Sequence, residues 1–254
     1  MTAPLVAQKK FVANYDEAKI PQFTLPDPLL FDDGSAVVGA SDWDKRRDEI
    51  VTMFADQVYG KAPARPRKLL SEVFDEKEVF DGAAYRLQIR IHFGADASAP
   101  HMDMLVYLPK DVARPPAFLT LNFKGNHSID PDPSIRLSES WMRRGAGVKN
   151  DKSTEATRGV ASSRWPVEMI VKRGYALATI YYGDIDPDFD DGFRNGVHAL
   201  SPPKLKSDWG SIAGWAWGLS CALDYLEEPD CGSETCCRVW SLASRQDIVV
   251  GWSQ

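Results

Sequence analysis

Near its amino end the chain has apolar and polar residues in a helical pattern. Over "SDWDKRRDEIVTMFADQVYG" the apolar residues recur at the spacing of one helix face, at Trp43, Ile50, Phe54 and Val58. Ser41 and Asp44 have the spacing of a capping box, and Gly60 can close the last turn. The pattern predicts an amphipathic helix that buries this apolar stripe.

A second helical pattern follows in "DWGSIAGWAWGLSCALDYLEE". Its apolar residues again share one face: Ile212, Trp215, Ala216, Leu219, Leu223 and Leu226. Pro229 cannot continue a helix, so we expect the helix to end before it.

Alternating residues predict a β-hairpin between residues 85 and 109. In "YRLQIRIHF" one set of alternate positions is apolar and the other holds Arg86, Gln88, Arg90 and His92, which indicates a half-exposed antiparallel strand. "MDMLVYLP" returns after the turn-prone segment "GADASAP".

Two continuous apolar runs, "PAFLTLNF" and "YALATIYY", are typical of strands buried on both faces of a parallel sheet. The segment "RWPVEMIVKRG" between them predicts a helix with Pro166 in its first turn and Gly174 after its last. The sequence therefore predicts an α/β fold with a mostly parallel sheet preceded by an antiparallel hairpin. Ligands bind such sheets at the carboxyl ends of the strands, where "KGNHS" and "GDIDPDFDDG" lie.

Two segments are predicted along the chain. The first 40 residues, rich in proline, predict an extended arm, and residues 41–254 predict one α/β domain. The apolar content of 44% is ample for a core.

Charge and composition narrow the function classes. A net charge of −6 and only short basic runs argue against nucleic acid as a partner. No apolar run is long enough for a membrane span, and the first residues lack the pattern of a secretory signal, so we expect a cytoplasmic protein that does not bind membranes. The cysteine spacing predicts neither disulfides nor zinc, and we expect no metal and no cofactor.

The segment "NFKGNHS" is the first candidate site. Gly125 would let backbone N–H groups approach an oxyanion, with Lys124, Asn126 and His127 beside it as the substrate loop. The alternative is a turn in which Asn126 caps the chain and His127 only packs.

The aspartate-rich loop is the second candidate. Its acidic residues alternate as in the start of a calcium loop, at Asp184, Asp186, Asp188, Asp190 and Asp191. Phe189 replaces the required glycine and Asn195 the bidentate glutamate, so the favoured interpretation is a solvated loop that caps its own turns. His198 is expected at the surface.

Several segments in order resemble the glucuronoyl esterases, carbohydrate esterases often called acetylxylan esterases. They are "FKGNHS", "SRWPVEMIVKRGYALATIYYGDIDPD" and "DWGSIAGWAWGLSCALDYLEE", with "YDEAKIPQFTLPDPL" and "MFADQVYGKAP" before them. The similarity runs from about Phe11 to Glu228 and covers roughly the first half of that family's domain. It implies an α/β-hydrolase fold and a serine esterase that cleaves glucuronate esters joining xylan to lignin alcohols. It also implies that residues 41–254 are an incomplete α/β-hydrolase domain whose tail, 228–254, is aberrant.

The resemblance also implies catalytic residues. In that family the nucleophile lies in an elbow resembling Gly-His-Ser-Arg-x-Gly-Lys, and "LASRQDI" matches it at Ser244, the nucleophile, and Arg245, which stabilises the oxyanion. Leu242, Asp247 and Ile248 depart from the elbow pattern. On this fold the base follows the nucleophile, yet no histidine lies beyond His198.

A frameshift is our hypothesis for this departure. Permitted codons for residues 245–253, read one base later, give Gly-Lys-Thr-Ser-Leu-Trp-Ala-Gly, which resembles the sequence after the nucleophile in bacterial relatives. We therefore expect a fragment with weak or no esterase activity.

Three other functions remain open. One is a non-catalytic carbohydrate-binding protein that stacks sugars on Trp141, Trp165 and Trp209. The others are an acetylxylan-type deacetylase and a metal-dependent hydrolase that uses the aspartate loop.

Overall fold

The computed structural model describes residues 12–66, 69–200, 208–227 and 248–252. The chain divides into two compact units, Met1–Thr52 and Met53–Gln254. The boundary between arm and domain at residue 40 stays a prediction.

The first unit contains a 3-10 turn, Glu17–Lys19, and most of helix α1, Ala40–Phe54. Ser41 lies inside α1, so the predicted capping box is wrong. Instead the Asp42 carboxylate accepts a hydrogen bond from the backbone N–H of Val38 at 3.2 Å. This hydrogen bond joins the first turn of the helix to the chain two residues before it and supports that turn.

The burial predicted for α1 is also wrong. Trp43 and Phe54 of the predicted stripe are 40% and 42% exposed. The buried residue is Arg46, whose guanidinium donates to Asp32 at 2.6 Å and to Glu49 at 2.7 Å. Paired charges can be buried because the partners replace the lost water.

The second unit begins with a π-helical turn, Ala55–Tyr59, that ends at Gly60 as expected. Gly60 has a φ of +79°, and a Cβ there would lie 2.2 Å from the carbonyl oxygen of Asp208. Only glycine fits this close approach.

A six-stranded sheet forms the centre of this unit. Its strands are β1 Leu70–Val79, β2 Ala84–His92, β3 His101–Pro109, β4 Ala117–Asn122, β5 Ala176–Tyr181 and β6 Ile248–Trp252. Their order is β1-β2-β3-β5-β4-β6, with β5, β4 and β6 parallel to one another and the other pairs antiparallel. The predicted hairpin and both buried strands are confirmed, whereas β1, rich in acidic residues, was not predicted.

The prediction that β2 is half-exposed is wrong. Arg86 is fully buried, and Gln88 and His92 are nearly so. Arg86 donates to Asp132 at 2.8 Å and to Asp75 at 2.6 Å, so charged partners from the neighbouring loop and from β1 cover this face. The alternation of apolar and polar residues correctly predicted the two faces of β2. It could not show that other parts of the chain cover the polar face.

Helices lie on both faces of the sheet. They are α2 Val167–Lys172, α3 Tyr182–Ile185 and α4 Ser211–Glu227, with 3-10 turns at Asn126–Ser128, Glu155–Thr157, Ser162–Arg164 and Gly196–Leu200. One core cluster joins the sheet to α4 and the other joins it to α2, which gives the three layers of an α/β-hydrolase fold. Among the described helices, none is both long and apolar enough to cross a membrane.

Candidate active site

The carboxyl ends of β4 and β5 open onto a cavity of about 510 Å³. Phe123 and Lys124 line it directly after β4, and Tyr182 and Asp188 line it after β5. The long loop between these strands supplies the remaining wall with residues 142–146, 148, 157 and 160. The sheet edge predicted from the strand pattern thus holds a cavity large enough for a small ligand.

The cavity has an apolar wall and a cationic rim. The rings of Phe123 and Tyr182 lie 4.8 Å apart, and the rim carries Lys124, Arg143 and Arg144, all exposed. The Arg143 guanidinium is ion-paired with Asp188. Lys124 has no ion-pair or hydrogen-bond partner among the described residues.

Gly125 occupies a backbone conformation that favours glycine. Its φ is +85°, and a Cβ there would lie 2.5 Å from Cε1 of His127. The chain therefore turns sharply after Lys124 into the 3-10 turn Asn126–Ser128. This bend places a glycine backbone beside the cavity, as the oxyanion hypothesis requires.

Asn126 ties this loop to the sheet. Its amide nitrogen donates to the carbonyl of Asp103 at 2.7 Å, and its amide oxygen accepts from the Asn122 amide at 2.7 Å. Asn122 also donates to the hydroxyl of Thr179 on β5 at 3.1 Å. Because both ends of its amide are occupied, Asn126 acts as a positioning residue rather than as a free donor.

His127 is fully buried and hydrogen-bonded at both ring nitrogens. Nε2 lies 2.8 Å from the Thr157 hydroxyl, which itself donates to the Thr154 carbonyl, so Nε2 carries the proton. Nδ1 accepts from the backbone N–H of Ser138 at 3.4 Å. Burial, with a smaller effect of the Arg158 charge, lowers the pKa of His127 to about 4. The geometry favours packing, the alternative left open by the sequence, over a role as base.

The other three histidines lie away from the cavity. His92 and His101 face each other across β2 and β3, with ring centroids 5.4 Å apart. His198 was expected at the surface but is buried between the rings of Phe193 and Trp209. All four histidines of the sequence are described, and none lines the cavity.

The aspartate-rich loop is only partly the solvated loop that was predicted. Asp190 and Asp191 do accept backbone hydrogen bonds from the turn that follows them. Asp186, in contrast, is buried 3.4 Å from His198, and Asp184 accepts from the Ser140 hydroxyl at 2.6 Å. Burial and the nearby Asp103 charge raise the pKa of Asp184 to about 7.

Ser244 and Arg245 lie outside the described residues and stay predictions. The strand β6 begins four residues after Ser244, whereas the nucleophile of an elbow directly follows its strand. Ser253 is the residue that follows β6 in the sequence, within Gly251-Trp252-Ser253. This partial Gly-x-Ser pattern was not among the sequence predictions.

Only one of the three tryptophans considered for sugar stacking is partly exposed. Trp165 and Trp209 are buried. Trp141 packs against the exposed Phe189 with ring centroids 5.0 Å apart, beside the cavity residue Met142.

Comparison with known proteins identifies close relatives. The chain is 48% identical over 223 residues to a carbohydrate esterase from an unknown prokaryotic organism, covering 84% of this chain and 51% of the relative. The structure of this chain resembles that of a promiscuous family 15 carbohydrate esterase from a marine bacterial metagenome, with a TM-score of 0.78 and 43% sequence identity. The match covers 93% of this chain and 58% of the other. The glucuronoyl esterase of Solibacter usitatus gives 38% identity and a TM-score of 0.80, over 93% and 59% of the two chains.

The chain spans about half the length of the curated relative. No family model matches it. The similarities confirm the predicted resemblance: over the part of those proteins that it spans, the chain is similar to carbohydrate esterases, a glucuronoyl esterase among them, and it has an α/β-hydrolase fold.

Proposed function

We propose that the chain supplies the substrate site of a serine carboxylic ester hydrolase acting on glucuronate esters of the kind found on xylan. The observation that carries the proposal is the cavity of about 510 Å³ at the carboxyl ends of β4 and β5, beside Gly125. The cavity lies where open α/β sheets bind ligands, and the relatives found by comparison are esterases of this type.

Each residue of the substrate loop has a proposed role. The backbone at Gly125 approaches the ester carbonyl and stabilises the oxyanion, while Lys124 faces the substrate from the rim. Asn126 and His127 hold the loop in place through buried hydrogen bonds.

The nucleophile is assigned from the resemblance. Ser244 attacks the ester and Arg245 assists the oxyanion, with Ser253 as a second candidate because it directly follows β6. Replacing each serine separately by alanine identifies which one any hydrolysis requires.

The described residues account for substrate binding better than for proton transfer. A serine nucleophile needs a base within hydrogen-bond reach, and none of the four histidines lines the cavity. We therefore expect the chain to bind glucuronate esters but to hydrolyse them much more slowly than the marine metagenome esterase assayed beside it.

The test compares benzyl glucuronate with acetylated xylan as ligands and substrates of the purified chain. The proposal predicts saturable binding of the glucuronate ester and a preference for it over the acetyl ester. Binding of neither ester would contradict the proposal, and a preference for acetyl esters would favour the deacetylase alternative.

A non-catalytic carbohydrate-binding protein is the second candidate. The pair of Trp141 and Phe189 beside the cavity supports it, because an exposed aromatic face can stack on a sugar ring. Retention on xylan that is lost in Trp141→Ala, without hydrolysis, would favour this function.

A further inference from the structure

Lys124 is the cavity residue whose charge the described structure leaves unused. It lies on the rim immediately before Gly125, exposed and without a partner among the described residues. The other two rim cations already have carboxylate partners: Arg143 pairs with Asp188, and Arg144 lies 3.4 Å from Asp151. The cavity thus offers one free positive charge beside the loop proposed to hold the ester carbonyl.

Ester hydrolysis changes the charge at that position. Water adds to the acyl carbon, the bond from the acyl carbon to the alkoxy oxygen breaks, and the alcohol leaves with one of the water's protons. The acid then releases its own proton at neutral pH, so a neutral ester becomes a carboxylate. A cation beside the acyl group therefore interacts differently with substrate and product.

We infer that Lys124 binds the carboxylate of the hexuronate product, so that the cavity holds the acid more tightly than its neutral ester. The inference rests on the proposed function, since it places the acyl group at Gly125. It gives this site a specificity for the anionic sugar and makes the acid product an inhibitor. An exposed ion pair of this kind changes affinity by about five-fold.

Asp188 provides a second test of the same inference, because its charge is opposite to that of Lys124. It is the acidic residue among the described residues that line the cavity, and it holds Arg143 in an ion pair. Removing its charge frees Arg143 and takes away a repulsion on the bound carboxylate. Asp188→Asn is therefore expected to strengthen binding of the acid, which is opposite to the effect of losing Lys124.

The experiment measures the affinity of the full chain for sodium glucuronate and for neutral methyl glucuronate by calorimetric titration. We compare the unmodified chain with Lys124→Met, Lys124→Arg and Asp188→Asn. Lys172→Met is the matched control because Lys172 is an exposed lysine of α2 that does not line the cavity. Near-ultraviolet circular dichroism confirms that each variant is folded.

The expected result is tighter binding of the acid than of the ester, with only the acid weakened by added salt. Lys124→Met should weaken binding of the acid about five-fold and leave binding of the ester unchanged. Lys124→Arg and Lys172→Met should keep the preference for the acid over the ester. Equal effects of Lys124→Met on both ligands, or none on either, would overturn the inference. If neither ligand binds the unmodified chain, the proposed function fails as well; if the ester binds without a preference for the acid, only this inference fails.

Discussion

The side-chain amide of Asn126 donates a hydrogen bond of 2.7 Å to the backbone carbonyl of Asp103. Through Asn122 the same amide is connected to β4 and, beyond it, to Thr179 on β5. The Asn126 side chain thus fixes the substrate loop directly to β3 and β4, and Asn122 extends the network to β5. This connection explains how a loop at the edge of a cavity keeps a defined conformation.

Loss of this hydrogen-bond network should destabilise the fold. Asn126→Ala leaves the Asp103 carbonyl without this donor and leaves the Asn122 amide with Thr179 as its remaining partner, and we expect the free energy of unfolding to fall by about 1 to 3 kcal/mol. Chemical denaturation measures the change. The control is Asn14→Ala, at an exposed position, where we expect a change within about 0.5 kcal/mol. Similar small effects in both variants would show that the network does not stabilise the fold.

Gly125 and Gly34 form a matched pair because both have a φ of +85°. A Cβ at Gly34 meets no atom within 4 Å, whereas one at Gly125 meets the His127 ring at 2.5 Å. We expect Gly34→Ala to cost about 1 kcal/mol and Gly125→Ala about 3 kcal/mol in the free energy of unfolding. Thermal and chemical unfolding of both variants provide the measurement. Equal losses would mean that the contact with His127 does not restrict the loop.

His127 should make the protein sensitive to acid. Its pKa is lowered from the ordinary value to about 4, so it favours folding above about pH 6.5 and loses that contribution as the pH falls towards 4. Its share of the stability lost between pH 7 and pH 4.5 is about 2 kcal/mol. His127→Gln can still donate to Thr157 but does not titrate, so its unfolding free energy should fall less over this range. An unchanged acid dependence in the variant would contradict the assignment.

Asp184 should give the free energy of unfolding the opposite pH dependence. Burial and the Asp103 charge raise its pKa to about 7, so its contribution to stability is complete below its ordinary pKa and is lost as the pH rises through 7. Asp184→Asn removes this titration. The altered hydrogen bonds of the asparagine also lower the free energy of unfolding, by an amount that does not depend on pH. The difference in unfolding free energy between variant and unmodified chain should therefore shift in favour of the variant from pH 5 to pH 8. A constant difference would argue against the raised pKa.

The sequence predicted the parallel part of the sheet well because its strands have a local signature. Continuous apolar runs such as "PAFLTLNF" are buried on both faces, and the chain direction at their carboxyl ends follows from the crossover rule. The position of the cavity could therefore be predicted from residues 117–125 and 176–188 alone.

Burial of polar residues could not be predicted in the same way. Arg86 is buried because Asp75 on the paired strand β1 and Asp132, 46 residues along the chain, come together around it. His198 is buried because Phe193 and Trp209 enclose it. Such pairings depend on tertiary contacts that leave no periodic pattern in the sequence.

The most direct test of the account is to map where methyl glucuronate binds by amide chemical-shift changes in the labelled chain. The account predicts changes at residues 123–125 and 142–148, and their loss in Val160→Trp, which fills the cavity from its exposed rim. Met169→Trp, at an exposed position on α2 outside the cavity, should bind as the unmodified chain does. Changes confined to another surface, or undiminished binding by Val160→Trp, would contradict the claim that this cavity is the substrate site.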